Sequence, residues 1–182
     1  MRIAVNAAAF YVAWFVTVLA AAKGWPLAAI AASLAVVALH LAMSARRGVE
    51  LILIMAAAIT GLGVETLLLQ GGLATYASPG PFTDFAPAWL VALWMAFATV
   101  VNVSLGWLKS RLWLAILLAF IGGPLSYFAG AQLGDMVLAQ PVEISLGVIG
   151  ALWVVAFPLL LVIARLLDPD PLSDAAEGPA SS

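Results

Sequence analysis

IGGPLSYFAGAQLG, from Ile121 to Gly134, lies inside an apolar run, and a small residue recurs in it at every fourth position: Gly122, Ser126, Gly130 and Gly134. At about 100° per residue these positions drift slowly around a helix and share one face. Lipid gives little hydrophobic reward for pressing helices together, so close association depends on small residues that let backbones approach. The expectation is a helix that packs against a neighbour through Gly122, Ser126, Gly130 and Gly134. Pro124 leaves the Phe120 carbonyl without its usual amide partner and, beside Gly122 and Gly123, predicts a kink.

The rest of the chain agrees with a membrane setting. Of 182 residues, 65% are hydrophobic and 9% charged, against roughly a quarter charged in soluble domains. With no cysteine, disulfides, thiolate metal sites and thiol nucleophiles are excluded. A single histidine rules out a three-histidine zinc site. There is no glycine-rich phosphate loop, no Gly-x-Ser-x-Gly elbow and no His-Glu-x-x-His. No cofactor or metal is expected. The net charge of −2 comes with four of the nine acids gathered after Arg165, and no basic patch suits nucleic acid.

Six apolar segments can each cross a core about 30 Å thick: Ile3–Ala22, Pro26–Met43, Val49–Leu69, Ala86–Leu108, Leu112–Gly134 and Ile144–Leu166. The first reads as an uncleaved helix and not a signal peptide, because its apolar run exceeds a signal core and further spans follow. The fold class is all-α, a polytopic six-helix bundle forming one domain over residues 1–167. Residues 168–182, with their Pro, Ser and acidic composition, read as a disordered tail. Arg2, Arg46, Arg47, Lys109, Arg111 and Arg165 fall on one side of this arrangement and only Lys23 on the other. The positive-inside rule therefore puts both termini in the cytoplasm. Trp25 and Trp89 are expected to anchor one interface, Trp107 and Trp113 the other. The long connection Gly71–Pro87 reads as an interfacial turn or as a lid.

Polar residues inside spans are costly and become site candidates by default. In the cytoplasmic half these are Asn6, His40, Glu50 and Asn102, drawn from four helices, which define a candidate polar pocket. Its expected ligand is a lipid head group or an acyl carboxylate, given the basic residues at the same rim. Each residue also has a plain structural reading: Glu50 as a cap or an arginine partner, His40 as a hydrogen-bonded buried imidazole. Glu65, Ser126 and Tyr127 form a second layer in the outer half. A lone carboxyl at that depth must be protonated or hydrogen-bonded to Ser126, Tyr127 or a tryptophan.

Asn6 with Trp14, His40 with Glu50, Trp94 with Phe97, NVSLGWL from Asn102 to Leu108, and above all GGPLSYFAG followed by LG resemble the bacterial inner-membrane family catalogued as domain of unknown function 2878. The resemblance covers nearly the whole chain except the acidic tail. It implies a small multi-pass protein of the Gram-negative inner membrane and supplies no catalytic residue. Members of that family look to be encoded often beside cyclopropane-fatty-acid-synthase-like methyltransferases and oxidoreductases, so the resemblance implies a place in membrane lipid modification or envelope stress response, with membrane lipid and a pathway protein as expected partners. Three classes of function stay open: a lipid-binding accessory protein, a small transporter, and a metal-free intramembrane enzyme acting on lipid.

Overall fold

The computed structural model describes residues 2–167. The acidic tail read from the sequence lies outside them. Six α-helices are present among the described residues: α1 (Arg2–Ala22), α2 (Pro26–Met43), α3 (Arg47–Gln70), α4 (Ala88–Val101), α5 (Leu112–Leu133) and α6 (Val142–Leu167). Two short strands, β1 (Ala74–Tyr76) and β2 (Met136–Leu138), pair antiparallel with Tyr76 opposite Met136. Helices α1, α2, α3, α5 and α6 are long and apolar enough to cross a membrane. The chain is a multi-pass, all-α membrane protein.

Helix α4 is different. The fourth apolar segment extends on paper to Leu108, yet the α-helix stops at Val101 after 14 residues and gives way to turns and a 3-10 segment, Gly106–Ser110. At 1.5 Å per residue it is only about 21 Å long. It needs no match to the bilayer because it is sheathed by protein, packing against α1, α2, α3 and α6. Residues buried on every side of it, including Leu90, Trp94, Ala96, Ala98 and Val101, make it the centre of the bundle. Around it, α1 lies on α2, α3 on α6 and α6 on α5, whereas α1 and α5 meet only thinly.

Short polar links reinforce this packing where lipid cannot. Thr17 on α1 and Ser33 on α2, both fully buried, place their hydroxyls 2.8 Å apart, and Thr17 Oγ1 also donates to the Ala29 carbonyl at 3.2 Å. Arg47 donates to the Ala42 carbonyl at 3.1 Å, covering an exposed carbonyl at the end of α2. At the other end of the bundle the paired strands β1 and β2 and the Gly71–Pro87 connection form a cap. Ser78 donates to the Ala21 carbonyl (2.7 Å), Gln70 to the Asp84 carbonyl (3.0 Å), and the Ala86 amide to Thr66 Oγ1 (3.1 Å). Trp89 belongs to this cap and is not an interfacial anchor: it is 1% exposed and donates Nε1–H to the Ser78 carbonyl at 3.0 Å. Trp25, Trp107 and Trp113 are exposed, as interfacial indoles are.

The expected packing face of α5 also needs correction. The buried positions of this helix are Ala115, Ala119, Gly123 and Tyr127, one residue round from the small-residue ladder, together with Gly130 from the ladder itself. Gly122 is exposed, with nothing within 4 Å of where its Cβ would stand. Gly134 lies just past the helix and takes φ +90°, the left-handed cap that glycine adopts without strain. Periodicity finds a low-relief face, but which side turns inward is set by the bulky partner, here Trp153 of α6. Helix α5 continues through Pro124 to Leu133.

Candidate functional site

Two glycines make the site possible. A Cβ on Gly61 of α3 would fall 2.2 Å from the Trp94 side chain, and one on Gly123 of α5 would fall 2.4 Å from Trp153. The missing side chains are slots for two indoles, which then lie against each other with ring centroids 4.9 Å apart, tilted by 30°. Phe97, Phe157 and Tyr127 close around them.

The seated Trp94 indole donates to Glu65 Oε1 at 2.8 Å. Tyr127 donates to the same oxygen, and Tyr76 donates to Oε2 at 2.7 Å. Glu65 is 1% exposed, so three donors replace the water that a carboxyl at this depth has lost. Sequence reasoning named Tyr127 and a tryptophan as partners of Glu65. It missed Tyr76, which reaches the carboxyl only because β1 pairs with β2 and folds the connection back over α3. Ser126 lines the adjoining cavity and makes no hydrogen bond to Glu65 among those found.

Asp135 completes the group. It follows the Gly134 cap directly, is 1% exposed, and rests on Gly130, where a Cβ would come within 2.8 Å of its Oδ1. Gly130 is therefore a seat for a carboxyl group and not a helix-packing residue. Burial, then the nearby Glu65 charge, push the Asp135 carboxyl up to about 7, although the backbone amides of Asp135 and Met136 pull the other way. Burial and the Glu65 charge also hold the Tyr76 phenol well above its ordinary value, which keeps it a proton donor.

Glu65, Asp135, Tyr127, Trp94 and Trp153 border a cavity of about 60 Å³. Its wall of Phe10, Trp14, Phe97, Ser126 and Trp153 is shared with a much larger groove of about 520 Å³ between α1 and α5. The thin contact between those helices leaves the groove, and the small residues Gly122, Ser126 and Ala129 keep its α5 wall low. Tyr11, Phe15 and Leu125 at its rim are exposed on the apolar outside of the bundle.

A second polar cluster lies at the arginine-rich end. Glu50 accepts from Asn102 Nδ2 at 3.0 Å on Oε1 and pairs with His40 Nε2 at 3.0 Å on Oε2, joining α2, α3 and the end of α4. Asn6 stands apart: its Nδ2 donates to the Thr99 carbonyl at 3.1 Å and its Oδ1 accepts from Ser104 at 2.7 Å. Thus three of the four candidate pocket residues bond to one another, and Asn6 instead ties α1 to α4. The Glu50 carboxylate goes to His40 and Asn102, with Lys109 within electrostatic range.

These features define a multi-pass helical membrane protein with a buried carboxyl site at the end of the bundle that the β1–β2 pair covers, beside an apolar groove. The chain belongs to the family described as "Protein of unknown function (DUF2878)", whose model matches residues 3–159 and so spans both polar clusters. No curated protein and no solved structure matches it.

Proposed function

We propose that this protein binds a membrane lipid in the groove between α1 and α5, as an accessory component of lipid modification or of an envelope stress response that senses lipid. We place it in a bacterial inner membrane with its arginine-rich end in the cytoplasm, on the strength of the charge asymmetry. The observation that carries the reading is the groove itself: about 520 Å³, apolar along its length, open at the apolar outside of the bundle and sharing a wall with the small cavity that Glu65 and Asp135 border. Ligand sites are mostly apolar with a few placed polar groups, and this combination matches an amphiphile entering sideways. Its partner is thus the bilayer's own lipid, with a protein of the same pathway receiving it.

Transport is the weaker reading. Glu50 and Glu65 lie about 22 Å apart along α3 at 1.5 Å per residue. Between them Leu53, Ile54 and Ala57 are fully buried, and the hydroxyl of Thr60 is spent on the Ala56 carbonyl of its own helix at 2.8 Å. The metal-free enzyme reading would use His40, Glu50 and Asn102; both oxygens of Glu50 are taken by the other two, and Asn102 Oδ1 is left without a partner.

The test fills the groove. Gly122→Leu places a side chain where a Cβ meets nothing within 4 Å, so the fold should tolerate it. Native mass spectrometry of protein released from nanodiscs should show lipid retained by wild type and lost several-fold by the variant. Equal retention would overturn the proposal.

A further inference from the structure

Two buried polar atoms bordering the small cavity have no hydrogen-bond partner: Asp135 Oδ1 and Trp153 Nε1. The Trp153 indole lies close to the Tyr127 hydroxyl oxygen, which is free to accept while its proton goes to Glu65, but no hydrogen bond of good angle joins the two. Leaving a buried polar group unpaired costs stability, because its lost hydration is not replaced. Two such atoms at one cavity call for a shared partner.

The charge of the cavity narrows the choice. Glu65 and Asp135 line it and no Lys, Arg or His does, so a phosphate or carboxylate head meets repulsion with nothing to offset it. An ammonium can donate to Asp135 but cannot accept from the indole N–H, which would point its positive end at a cation. A hydroxyl does both, since it carries one donor and two acceptor lone pairs. We propose that the cavity takes the hydroxyl of a lipid alcohol, donating to Asp135 Oδ1 and accepting from Trp153 Nε1, with the chain lying in the α1–α5 groove. This rests on the lipid-binding reading and names its head-group class.

A chain-matched series tests it. Hexadecanol, hexadecylamine and palmitate are titrated into the purified full-length protein in detergent, with tryptophan fluorescence as the readout because Trp94 and Trp153 border the cavity. Hexadecanol should bind most tightly. Its affinity should change little between about pH 6 and about pH 8, because a carboxyl group can bond a hydroxyl in either protonation state. The ionisable groups facing Asp135 are Glu65 from α3, Tyr76 from β1 and Tyr127 from α5; α1, α4 and α6 present apolar and indole side chains. Asp135→Ala should weaken hexadecanol about tenfold, the equivalent of one hydrogen bond, and leave the residual chain affinity. Asp135→Asn, which keeps an acceptor, should retain the alcohol preference, so a loss in the Ala variant alone is not a folding defect.

Preference for hexadecylamine, with binding lost as pH falls through about 7, would replace the alcohol by a cation and overturn the inference. Preference for palmitate would overturn it too. Equal binding of all three leaves the groove reading standing and removes the head-group assignment, as does a cavity that holds only water. No binding of any of the three overturns the lipid-binding reading itself.

Discussion

Gly130 and Asp135 compete for one volume: a Cβ on the glycine would stand 2.8 Å from Asp135 Oδ1. A similar constraint acts at Gly123, where the obstacle is the root of the Trp153 indole at 2.4 Å, and none acts at Gly122. Alanine substitutions should therefore rank in a fixed order. Gly123→Ala should be the most harmful, because an indole held in a packed core cannot step aside. Gly130→Ala should cost roughly 1–3 kcal/mol by displacing the carboxyl. Gly122→Ala should be neutral or slightly favourable, given alanine's helix preference of about 1 kcal/mol over glycine. Thermal unfolding in detergent reads the order, and equal effects at 122 and 123 would contradict the assigned face of α5.

Glu65 depends on donors from three different elements: Trp94 on α4, Tyr127 on α5 and Tyr76 on β1. Removing one hydroxyl leaves a buried carboxyl oxygen short of a partner. Tyr76→Phe should destabilise the protein by roughly 1–3 kcal/mol. In Glu65→Leu the same change should cost much less, since no acceptor remains. A double-mutant cycle on melting midpoints gives the coupling, and additive effects would mean that β1 is held by packing alone.

Much of this architecture could be read from the residues. Hydropathy placed the long helices because about twenty apolar residues in lipid have few alternatives to a helix. The end of α4 was illegible because Val103, Leu105, Trp107 and Leu108 are as apolar as a helix interior, while their backbone turns. The Gly122 ladder showed a face without relief but not which residue meets Trp153, a difference of one position or about 100°. Glu65 stood out as a lone acid at depth. Its partnership with Tyr76, and the burial of Asp135, depend on strand pairing between segments some sixty residues apart, for which the three-residue strands carry no local signal. Asp135 looked like an ordinary loop acid after a helix-ending glycine.

The Asp135 carboxyl has its pKa pushed from 3.8 up to about 7 by burial and by Glu65. A raised acid pKa in the fold means that the native state holds a proton which the unfolded chain has released. The contribution of Asp135 to stability is then complete below about pH 4 and falls as pH rises toward 7, after which it is constant. Wild type should lose stability over that window relative to Asp135→Asn, whose difference from wild type should flatten above it. A difference that does not change with pH would place the ionisation of Asp135 elsewhere.

The charge asymmetry makes a topological prediction. Arg46 and Arg47, Lys109 and Arg111, and Arg165 cluster at one end, with Thr83 and Asp84 exposed at the other. Reporters inserted at Thr83 and in the Arg46–Arg47 turn should report opposite sides of the membrane, the latter in the cytoplasm. Thr83 is the proper insertion point. Ser78, in the same connection, is buried and bonded to Ala21. Reporters on the same side would overturn the arrangement of passes.

At the arginine-rich end, Glu50 is held between His40 and Asn102 at 3.0 Å each. The three residues come from α2, α3 and the end of α4, whereas α2 and α3 otherwise touch little. Breaking a buried polar link by deleting one member leaves the others unsatisfied, and that penalty exceeds the net value of the bond. Glu50→Ala should therefore be more damaging than either His40→Ala or Asn102→Ala. It orphans two donors, while each single partner loss leaves Glu50 with one. Adding His40→Ala to Glu50→Ala should cost little more, giving a coupling of roughly 1–3 kcal/mol. If the cluster instead held a ligand, His40→Ala and Asn102→Ala would change lipid retention with stability intact. Under the assignment argued here, lipid retention follows Gly122 and Asp135 and is indifferent to His40. Measuring melting midpoint and retained lipid on the same four variants separates the two roles, and a His40→Ala protein of normal stability that has lost its lipid would transfer the site to this end of the bundle.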